Sequence, residues 1–541
     1  MKVSDAIAEV LRREGVETVI GYPVNHVLER GAAAGIRPVL VRQERTGLHM
    51  ADAMSRVTSG DSMGVFVMQH GPGTENSYGA VAQAYGDSIP VLVMPGGYPR
   101  QRAWVDRNYN ASVQMRGITK SAEPIINPAE LPAIMRRAFT RLRSGRGGPC
   151  LVEVPQDVWN EETDVSSYVP SRVMRTGPDP EAVREAAKML LTAKRPVIYA
   201  GQGVHWAKAW EELRVLAEWL AIPVCTSLQG KSAFPETHPL ALGSGGLAYP
   251  ATVHHFLKEA DLILGIGCSF SATNYGVAMP KGKTIIHNTV DATDVNKDVV
   301  CKLGLLGDAK LTLQALIDEV SATQKLPRDQ SAVAKEIREV YAPWLEKWMP
   351  KLTHNNAPFS PYRVLWDLQH TVDIANTIIT HDAGSPRDQL SPFWRCTTPL
   401  SYLGWGKTTQ LGYGLGLAMG AKLAKPDKLC INVWGDAAIG FTGMDFETAV
   451  RERIPILSIL LNNFSMAIEL KVMPVSTEKY RSTDISGNYA KFAEALGGYG
   501  ERIEKPADII PAIKRGIKAT QEGKPALLEF ITTKEVEVSK F

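Results

Sequence analysis

The side chains best suited to chemistry lie in the last third of the chain, where two apolar segments end in polar residues. Segment 428–434 leads into Asp436, and segment 456–461 leads into Asn463. If both segments are parallel strands, these side chains project from the strand ends where open α/β sheets bind ligands. With the backbone carbonyl of Ser465 they supply the hard oxygen ligands that Mg²⁺ prefers. The pattern therefore predicts a magnesium site.

Small residues next to Asp436 favour a phosphate group beside this metal. Gly435, Ala437 and Ala438 have little or no side chain, so their backbone N–H groups can approach phosphate oxygens closely. Mg²⁺ usually takes few protein ligands and completes its shell with water and phosphates. The alternative is purely structural: Asp436 caps the following helix, and Asn463 belongs to an ordinary turn. These residues alone leave both interpretations open.

Short β-branched segments alternate with helical ones along the chain, which is typical of βαβ units and a parallel sheet. The predicted strands are 17–23, 37–44, 63–70, 89–95 and 149–155, then 195–203, 222–228, 260–267 and 283–290, then 377–384, 428–436, 456–463 and 525–532. We therefore predict the α/β class, with three doubly wound parallel-sheet domains at residues 1–168, 185–330 and 358–541. The polar segment 161–180 contains three prolines and predicts a linker at the first boundary.

The first residues predict an amphipathic helix. Val3, Ile7 and Val10 recur at helical spacing, with Ser4 as candidate N-cap and Gly15 as candidate C-cap. This segment lacks the apolar region of a signal peptide, and no apolar run approaches the roughly 18 residues of a membrane span. A cytoplasmic location is the expectation.

Composition restricts the class of protein further. The chain has 541 residues, 44% of them apolar and 22% charged, which suits several sizeable cores. The net charge is only +3 and the basic residues do not cluster, so the sequence predicts a small-molecule partner and no nucleic acid. The six cysteines are widely spaced and are expected to be reduced core residues.

Longer motifs identify a family resemblance. They are GYPVNHVLE (21–29), RQERTGLHMADAMSR (42–56), GPGTENSYGAVAQAYGDSIPVLVMPGG (71–97) and GKSAFPETHPLALG (230–243). With Gly435-Asp436 and Asn462-Asn463, they resemble the acetolactate synthases and related 2-oxo acid decarboxylases, which use thiamine diphosphate. The resemblance covers nearly the whole chain. It implies a pyrimidine-binding domain, a middle domain and a diphosphate-binding domain, in that order.

The resemblance also implies roles for individual residues. Glu44 matches the glutamate that hydrogen-bonds the aminopyrimidine ring and favours the tautomer that deprotonates the thiazolium C2, a role for which burial suits a carboxyl group. Leu411 matches the bulky residue that holds the two rings in a bent arrangement. The candidate catalytic residues are Glu44, Gln69, His70 and Glu469. The candidate cofactor-binding residues are Pro23, Glu44, Gly71, Gly73, Asn76, Gly384, Ser385, Leu411, Gly435, Ala437, Ala438 and Met466. The candidate metal ligands are Asp436, Asn463 and Ser465.

The chain departs from the family pattern at several positions. Ala437-Ala438 stand where the family often has glycine or serine. The paired histidines of simple pyruvate-type decarboxylases are missing from segment 107–120, which favours carboligation or another substrate. Glu469, however, stands where those decarboxylases place an acid near the reacting carbon, and His70 is either a proton relay or a solvated loop residue.

The leading hypothesis is a thiamine diphosphate- and Mg²⁺-dependent carboligase that decarboxylates a 2-oxo acid and transfers the acyl unit to an acceptor carbonyl. The first alternative is a decarboxylase acting on a 2-oxo acid or acyl-CoA and releasing an aldehyde. A remote alternative is a non-catalytic nucleotide- or flavin-binding protein. The resemblance implies a homodimer or homotetramer with shared active sites. The middle-domain turns at 201–206 and 265–270 lack a complete GxGxxG, and whether FAD or an adenine nucleotide binds there stays open.

Overall fold

The computed structural model describes residues 1–541, which form three parallel sheets of six strands each. The strands of the first sheet are β1 (Thr18–Gly21), β2 (Arg37–Leu40), β3 (Gly64–Met68), β4 (Val91–Gly97), β5 (Ser121–Pro124) and β6 (Cys150–Pro155). Its helices are α1 (Val3–Arg13), α2 (His26–Ala33), α3 (Glu44–Val57), α4 (Pro72–Gly86), α5 (Ala111–Gln114) and α6 (Leu131–Arg143). The strand order is β2-β1-β3-β4-β6-β5.

The second sheet has a different strand order. Its strands are β7 (Pro196–Ala200), β8 (Val224–Ser227), β9 (Ala241–Gly245), β10 (Leu262–Ile266), β11 (Thr284–Thr289) and β12 (Leu303–Leu306). Its helices are α7 (Pro180–Thr192), α8 (Gly203–Ala207), α9 (Trp210–Leu220), α10 (Ala251–Glu259) and α11 (Ala309–Thr323). The order β12-β11-β10-β7-β8-β9 reverses direction between β7 and β10, and such a switch point opens a ligand-binding crevice at the carboxyl ends of the strands.

The third sheet repeats the order of the first, β14-β13-β15-β16-β18-β17. The long helix α12 (Ser331–Leu352) leads to it. The strands are β13 (Thr377–His381), β14 (Tyr402–Leu403), β15 (Leu429–Gly435), β16 (Leu457–Asn462), β17 (Tyr499–Ile503) and β18 (Ala526–Ile531). The helices are α13 (Pro361–Thr371), α14 (Ser385–Leu390), α15 (Tyr413–Ala424), α16 (Asp436–Thr442), α17 (Phe446–Arg451), α18 (Pro474–Tyr480), α19 (Tyr489–Ala495) and α20 (Ile509–Gln521).

The predicted fold class is confirmed, since all strand pairs are parallel and helices flank each sheet. Five of the six cysteines are buried, and Cys301 is half-buried. None of the helices combines the length and the apolar character that crossing a membrane would require.

One local prediction is wrong. Ser4 lies inside α1 and does not cap it, because the first N–H groups of this helix, those of Val3 and Ser4, donate to the carbonyls of Glu161 and Trp159. A distant segment thus replaces the side-chain cap. Further along the chain, α17 follows a 3₁₀ turn at Gly443–Asp445.

The first and third sheets meet through α3 and α15, which pack closely. A Cβ atom built on Gly420 would lie 2.1 Å from the carbonyl oxygen of Met50, and one built on Gly416 would lie 2.4 Å from Cβ of His49. These glycines let two helix backbones approach within the space that a side chain would fill. The largest apolar core of the chain therefore contains residues of both sheets.

Candidate active site

Three strand ends of the third sheet converge on one small region. Gly384 follows β13, Gly435 ends β15, and Asn463 follows β16. A Cβ atom built on Gly435 would lie 4.0 Å from Cγ of Pro386 and 4.0 Å from the carbonyl oxygen of Leu461, the nearest atoms. The region above Gly435 is therefore open and bordered by the two neighbouring strand ends.

Asp436 is buried at the start of α16. Its Oδ1 accepts a hydrogen bond from the N–H of Ala437 at 3.0 Å, and its Oδ2 accepts one from the N–H of Ser465 at 3.1 Å. Burial raises the pKa of this carboxyl to about 6, and the backbone N–H groups around it oppose that rise. The carboxylate thus joins the two strand ends that the sequence predicted to be neighbours.

The residues beside Asp436 fit a cation held by oxygen atoms. Asn463 Oδ1 and Ser465 Oγ are both buried and have no hydrogen-bond partner within the protein. Buried polar atoms almost always find partners, so two unpartnered oxygens next to one carboxylate indicate a ligand site. Carboxylate, amide and hydroxyl or carbonyl oxygens suit Mg²⁺.

The two alanines after Asp436 do not disturb this region. Ala437 and Ala438 lie in α16, and neither has a positive φ. The substitution of alanine for glycine therefore causes no backbone strain here. Their N–H groups lie in the first turn of the helix, where four N–H groups lack an intrahelical partner.

A segment of the chain that the sequence did not indicate supports the turn after β16. The N–H of Met466 donates to the carbonyl of Thr483 at 2.8 Å, and the N–H of Ile485 donates to that of Phe464 at 3.0 Å. The hydroxyl of Tyr489 donates to the carbonyl of Asp436 at 3.3 Å. The spacing of these residues gives no signal in the sequence, because the segment reaches the site only through tertiary packing.

Leu411 lies at the start of α15, in a turn fixed by Asp382. The Asp382 carboxylate accepts hydrogen bonds from the N–H groups of Ala383, Gly412 and Gly414 at 2.7, 2.9 and 3.1 Å. Gly412 has a φ of 86°, which favours glycine there. Burial raises the pKa of Asp382 to about 6. Sequence inspection missed Asp382, although it directly follows β13.

Glu44 is buried at the first position of α3. Its Oε2 accepts a hydrogen bond from the side-chain amide of Asn76 at 3.2 Å. Glu44 lines a cavity of about 500 Å³ together with Gln69, Pro72 and residues Gly440–Asp445 of the third domain. The structure thus brings the candidate residues Glu44, Gln69 and Asn76 together in one cavity.

The loop after β3 places His70 beside aromatic and amide groups. Its ring lies edge-on to Tyr98 with centroids 4.8 Å apart, and the side-chain amide of Gln156 lies 3.2 Å from Nδ1. Burial lowers the pKa of His70, and the Glu153 charge opposes this. Gly71 has a φ of 65°, and a Cβ on Gly73 would lie 3.1 Å from Met68. The structure therefore places His70 in a partly buried loop that Gly71 and Gly73 shape.

Pro23 lies in the exposed turn after β1, and the neighbouring Asn25 anchors this turn. The Asn25 amide donates to the carbonyls of Met68 and Met94 at 2.9 and 3.0 Å, and its oxygen caps α2. It holds the ends of β3 and β4 in place, a role that local sequence did not reveal.

Glu469 lies half-buried in the 3₁₀ turn Ala467–Lys471. Ile468, the residue before Glu469, covers the strand end at Gly384. Its Cδ1 lies 3.4 Å from a Cβ built on Gly384. Ser385 begins α14 after Gly384, and Met466 precedes the 3₁₀ turn. Glu469 is therefore close in the chain to residues around the candidate metal ligands.

Within one chain, the Glu44 cavity does not include the candidate metal ligands. It reaches the C-terminal end of α16, whereas Asp436 lies at the N-terminal end of that seven-residue helix. Seven residues of α-helix span roughly 10 Å. The two parts of the candidate site are therefore separate within the single chain.

A larger cavity of about 820 Å³ lies at the switch point of the second sheet. Gly201, Gly203 and Gly267 line it at the ends of β7 and β10. A Cβ built on Gly203 would lie 2.7 Å from Cα of Gly267, so the strand ends approach very closely. The cavity extends to Asp87 and Arg146 of the first domain. Its size suits a nucleotide-like ligand.

Comparison with known families identifies the class of protein to which this fold and these strand-end sites belong. Three family profiles match in the expected order: "Thiamine pyrophosphate enzyme, N-terminal TPP binding domain" over residues 1–114, "central domain" over residues 183–316 and "C-terminal TPP binding domain" over residues 382–530.

Curated relatives align over nearly the full chain. A probable acetolactate synthase large subunit of Methanocaldococcus jannaschii is 32% identical over 98% of this chain and 92% of its own length. The acetolactate synthase isozyme 3 large subunit of Escherichia coli is 27% identical over 96% and 93%, and the acetolactate synthase of Mycobacterium bovis is 29% identical over 99% and 88%. The chain belongs to the acetolactate synthase family of thiamine pyrophosphate enzymes.

Proposed function

We propose that this protein is a thiamine diphosphate- and Mg²⁺-dependent carboligase that decarboxylates a 2-oxo acid and transfers the acyl unit to an acceptor carbonyl. The observation that carries the proposal is the pair of buried, unpartnered oxygens, Asn463 Oδ1 and Ser465 Oγ, beside the Asp436 carboxylate. Asp436, Asn463 and Ser465 would hold Mg²⁺. Gly384, Ser385, Gly435, Ala437, Ala438 and Met466 would surround the diphosphate.

The N-terminal candidate residues would bind the pyrimidine. Glu44 is buried and keeps a carboxyl oxygen next to Asn76, so it can hold or share a proton with a ring nitrogen. The cofactor supplies a nucleophilic carbon and an electron sink at the substrate carbonyl. Leu411 would support its bent shape, and Gln69, His70, Pro23, Gly71 and Gly73 would border the substrate.

Assembly of these parts requires two chains in our proposal. Because the Glu44 cavity of one chain excludes Asp436, we propose a homodimer or homotetramer in which Glu44 of one subunit faces Asp436 of another. The corresponding domain limits are 1–168 for pyrimidine binding, 185–330 for the middle domain and 358–541 for diphosphate binding.

Product analysis tests the proposed reaction. The purified protein, loaded with thiamine diphosphate and Mg²⁺, is fed pyruvate alone and pyruvate with a second 2-oxo acid. We expect CO₂ release and a branched 2-hydroxy-3-oxo acid. Acetaldehyde as the sole organic product would contradict carboligation. A melting temperature that does not respond to thiamine diphosphate and Mg²⁺ would contradict the cofactor assignment.

Glu469 favours a second candidate, release of an aldehyde. Its half-buried position beside the residue that covers Gly384 places an acid near the cofactor region, where it can protonate the carbon that carboligation would use. If Glu469 has this role, the Glu469→Gln variant produces less aldehyde relative to the carboligation product than the unsubstituted enzyme does.

The cavity of the middle domain would hold FAD or an adenine nucleotide. The glycine-lined switch point and its volume of about 820 Å³ support this proposal. A flavin would give the purified protein a visible absorption spectrum. Colourless protein whose melting temperature rises with ADP would favour the nucleotide, and no response to either ligand would contradict both.

A further inference from the structure

A fully buried carboxylate lies next to the candidate metal site without contacting it. Glu529 is on β18, and its Oε1 accepts a hydrogen bond from the side-chain amide of Asn462 at 2.7 Å. Its Oε2 accepts one from the N–H of Ala490 at 2.9 Å. Both oxygens are therefore used, and each holds a different segment of the chain.

Asn462 connects Glu529 to the turn that carries the candidate metal ligands. Its Oδ1 accepts a hydrogen bond from the N–H of Phe464 at 2.9 Å. Phe464 has a φ of 56°, a left-handed conformation that is unfavourable for a bulky residue. The turn therefore needs this hydrogen bond, and Asn463 and Ser465 stand on either side of Phe464.

The second oxygen of Glu529 reaches the other side of the site. Ala490 lies in the first turn of α19, directly after Tyr489, and the Tyr489 hydroxyl donates to the carbonyl of Asp436. Glu529 thus links the Asn463–Ser465 turn and the start of α16 through two short chains of contacts.

We propose that Glu529 is a positioning residue for the metal–diphosphate site, acting through the amide of Asn462 and through α19. The inference rests on the function proposed above. Both Glu529 oxygens accept hydrogen bonds, so Glu529 fixes the Asn462 amide with its nitrogen toward Glu529 and its oxygen toward Phe464. The orientation of this amide decides whether the turn is held.

The first sheet provides a natural comparison. Glu153 is the fourth residue of β6, as Glu529 is the fourth residue of β18, and the two sheets share one strand order. Glu153 is also buried, and it accepts hydrogen bonds from the N–H groups of Ala111 and Ser112 at 3.1 and 3.0 Å. It binds the start of a helix but no strand-end asparagine, so only Glu529 connects to a ligand turn.

Glu529→Gln keeps the size of the side chain but adds a donor. The new NH₂ group must face either the Asn462 amide or the N–H of Ala490. Both of these groups donate to Glu529 in the unsubstituted protein, so two donors would then face each other. If the Asn462 amide turns over to accommodate it, its nitrogen meets the N–H of Phe464. We expect the Mg²⁺ concentration that half-saturates thiamine diphosphate binding, measured calorimetrically, to rise roughly 10- to 100-fold, as for other residues that orient metal ligands.

Exchange of donor and acceptor provides the decisive variant. Asn462→Asp alone places a second carboxylate against Glu529 and should weaken Mg²⁺ binding similarly. In the double variant Asn462→Asp with Glu529→Gln, the introduced aspartate accepts from both Phe464 and the introduced glutamine, whose oxygen accepts from Ala490. The total charge is unchanged. We expect Mg²⁺ affinity to recover to less than tenfold below that of the unsubstituted protein.

Glu153→Gln serves as the matched control. It should lower the melting temperature of the apoprotein while leaving the half-saturating Mg²⁺ concentration unchanged. Single variants that bind Mg²⁺ and cofactor normally would overturn the inference, as would a folded double variant that binds no better than the single ones. If a single variant does not fold, the double variant still decides. Failure of the unsubstituted protein to bind Mg²⁺ and thiamine diphosphate would instead overturn the proposed function, and this inference with it.

Discussion

The carboxylate of Asp382 accepts a hydrogen bond of 2.9 Å from the backbone N–H of Gly412, the residue that follows Leu411. Asp382 also accepts from Ala383 and Gly414, so one side chain fixes the whole turn before α15. Asp382→Asn replaces one acceptor oxygen by a donor, which leaves a buried N–H unpaired. We expect a loss of about 1–3 kcal/mol in unfolding free energy and weaker thiamine diphosphate binding.

Thermal unfolding and cofactor titration measure these two effects. Asp373→Asn is the control, because Asp373 caps the turn at the opposite end of β13, where its side chain accepts only from the N–H of Ala375, and asparagine is an equally good cap. Normal cofactor affinity in Asp382→Asn would show that the turn does not position Leu411.

Sharing of the active site between subunits predicts complementation. Glu44→Gln and Asp436→Ala chains should each be inactive alone, since each lacks one half of every site. Co-expressed with different affinity tags, they should form hybrids in which one site of a dimer is intact. We expect hybrids isolated through both tags to recover a substantial fraction of the activity. Verified hybrids without activity would argue against shared sites.

Close contact between α3 and α15 predicts strong sensitivity at Gly420. Gly420→Ala places a Cβ 2.1 Å from the carbonyl oxygen of Met50, so the two helices must separate. We expect a loss of about 1–3 kcal/mol, the usual cost of overpacking, and a lower melting temperature. In Gly31→Ala, the new Cβ lies 3.7 Å from Ile36, an ordinary contact. This helical control should be neutral or slightly stabilising. Equal melting temperatures of the two variants would contradict the prediction.

Buried histidines predict a loss of stability in mild acid. Burial lowers the pKa of His205 to about 4, and its ring is held neutral between the indole N–H of Trp210 and the carbonyl of Lys231. Burial also lowers the pKa values of His49 and His381 to about 3. An unfolded histidine titrates near 6.5. Between about pH 6.5 and 4 these histidines therefore bind more protons in the unfolded chain than in the folded one, and their contribution to stability decreases as pH falls.

Each such histidine should contribute about 2 kcal/mol of lost stability at pH 5 relative to pH 7.5. The melting temperature of His205→Gln should depend less on pH over this range than that of the unsubstituted protein. His370→Gln is the control, because His370 is exposed. An unchanged pH dependence in His205→Gln would contradict the assignment.

The strand pattern could be predicted from local sequence, except at the edges of the sheets. All twelve interior strands and the edge strand β2 overlap predicted segments, whereas β5, β9, β12, β14 and β17 were missed. Each missed strand lies at a sheet edge. Interior strands of a parallel sheet are buried on both faces and read as apolar runs, whereas an edge strand such as Ser121–Pro124 has no such constraint and is defined by pairing with its neighbour.

In the candidate site, too, some features could be predicted from local sequence and others could not. Asp436 and Asn463 could be recognised because each follows an apolar strand directly, and parallel strands bring their carboxyl ends to one edge. Ser465, in the adjoining turn, comes with them. The separation of Glu44 from Asp436 within one chain was implied only by the family resemblance and not by the local sequence, because it depends on the packing of α3 and the first domain against α16.

The sequence by itself determined the class of fold, the order of the three domains and the strand-end residues. Strands that are buried between two layers of helices must be apolar, so they can be recognised as short apolar segments, and the polar residues that follow them mark the strand ends. Only the tertiary structure decided which buried acids support the site. Asp382 and Glu529 act on N–H and amide groups 30 or more residues away in the chain, and no local pattern records a contact that exists only once separate strands lie side by side.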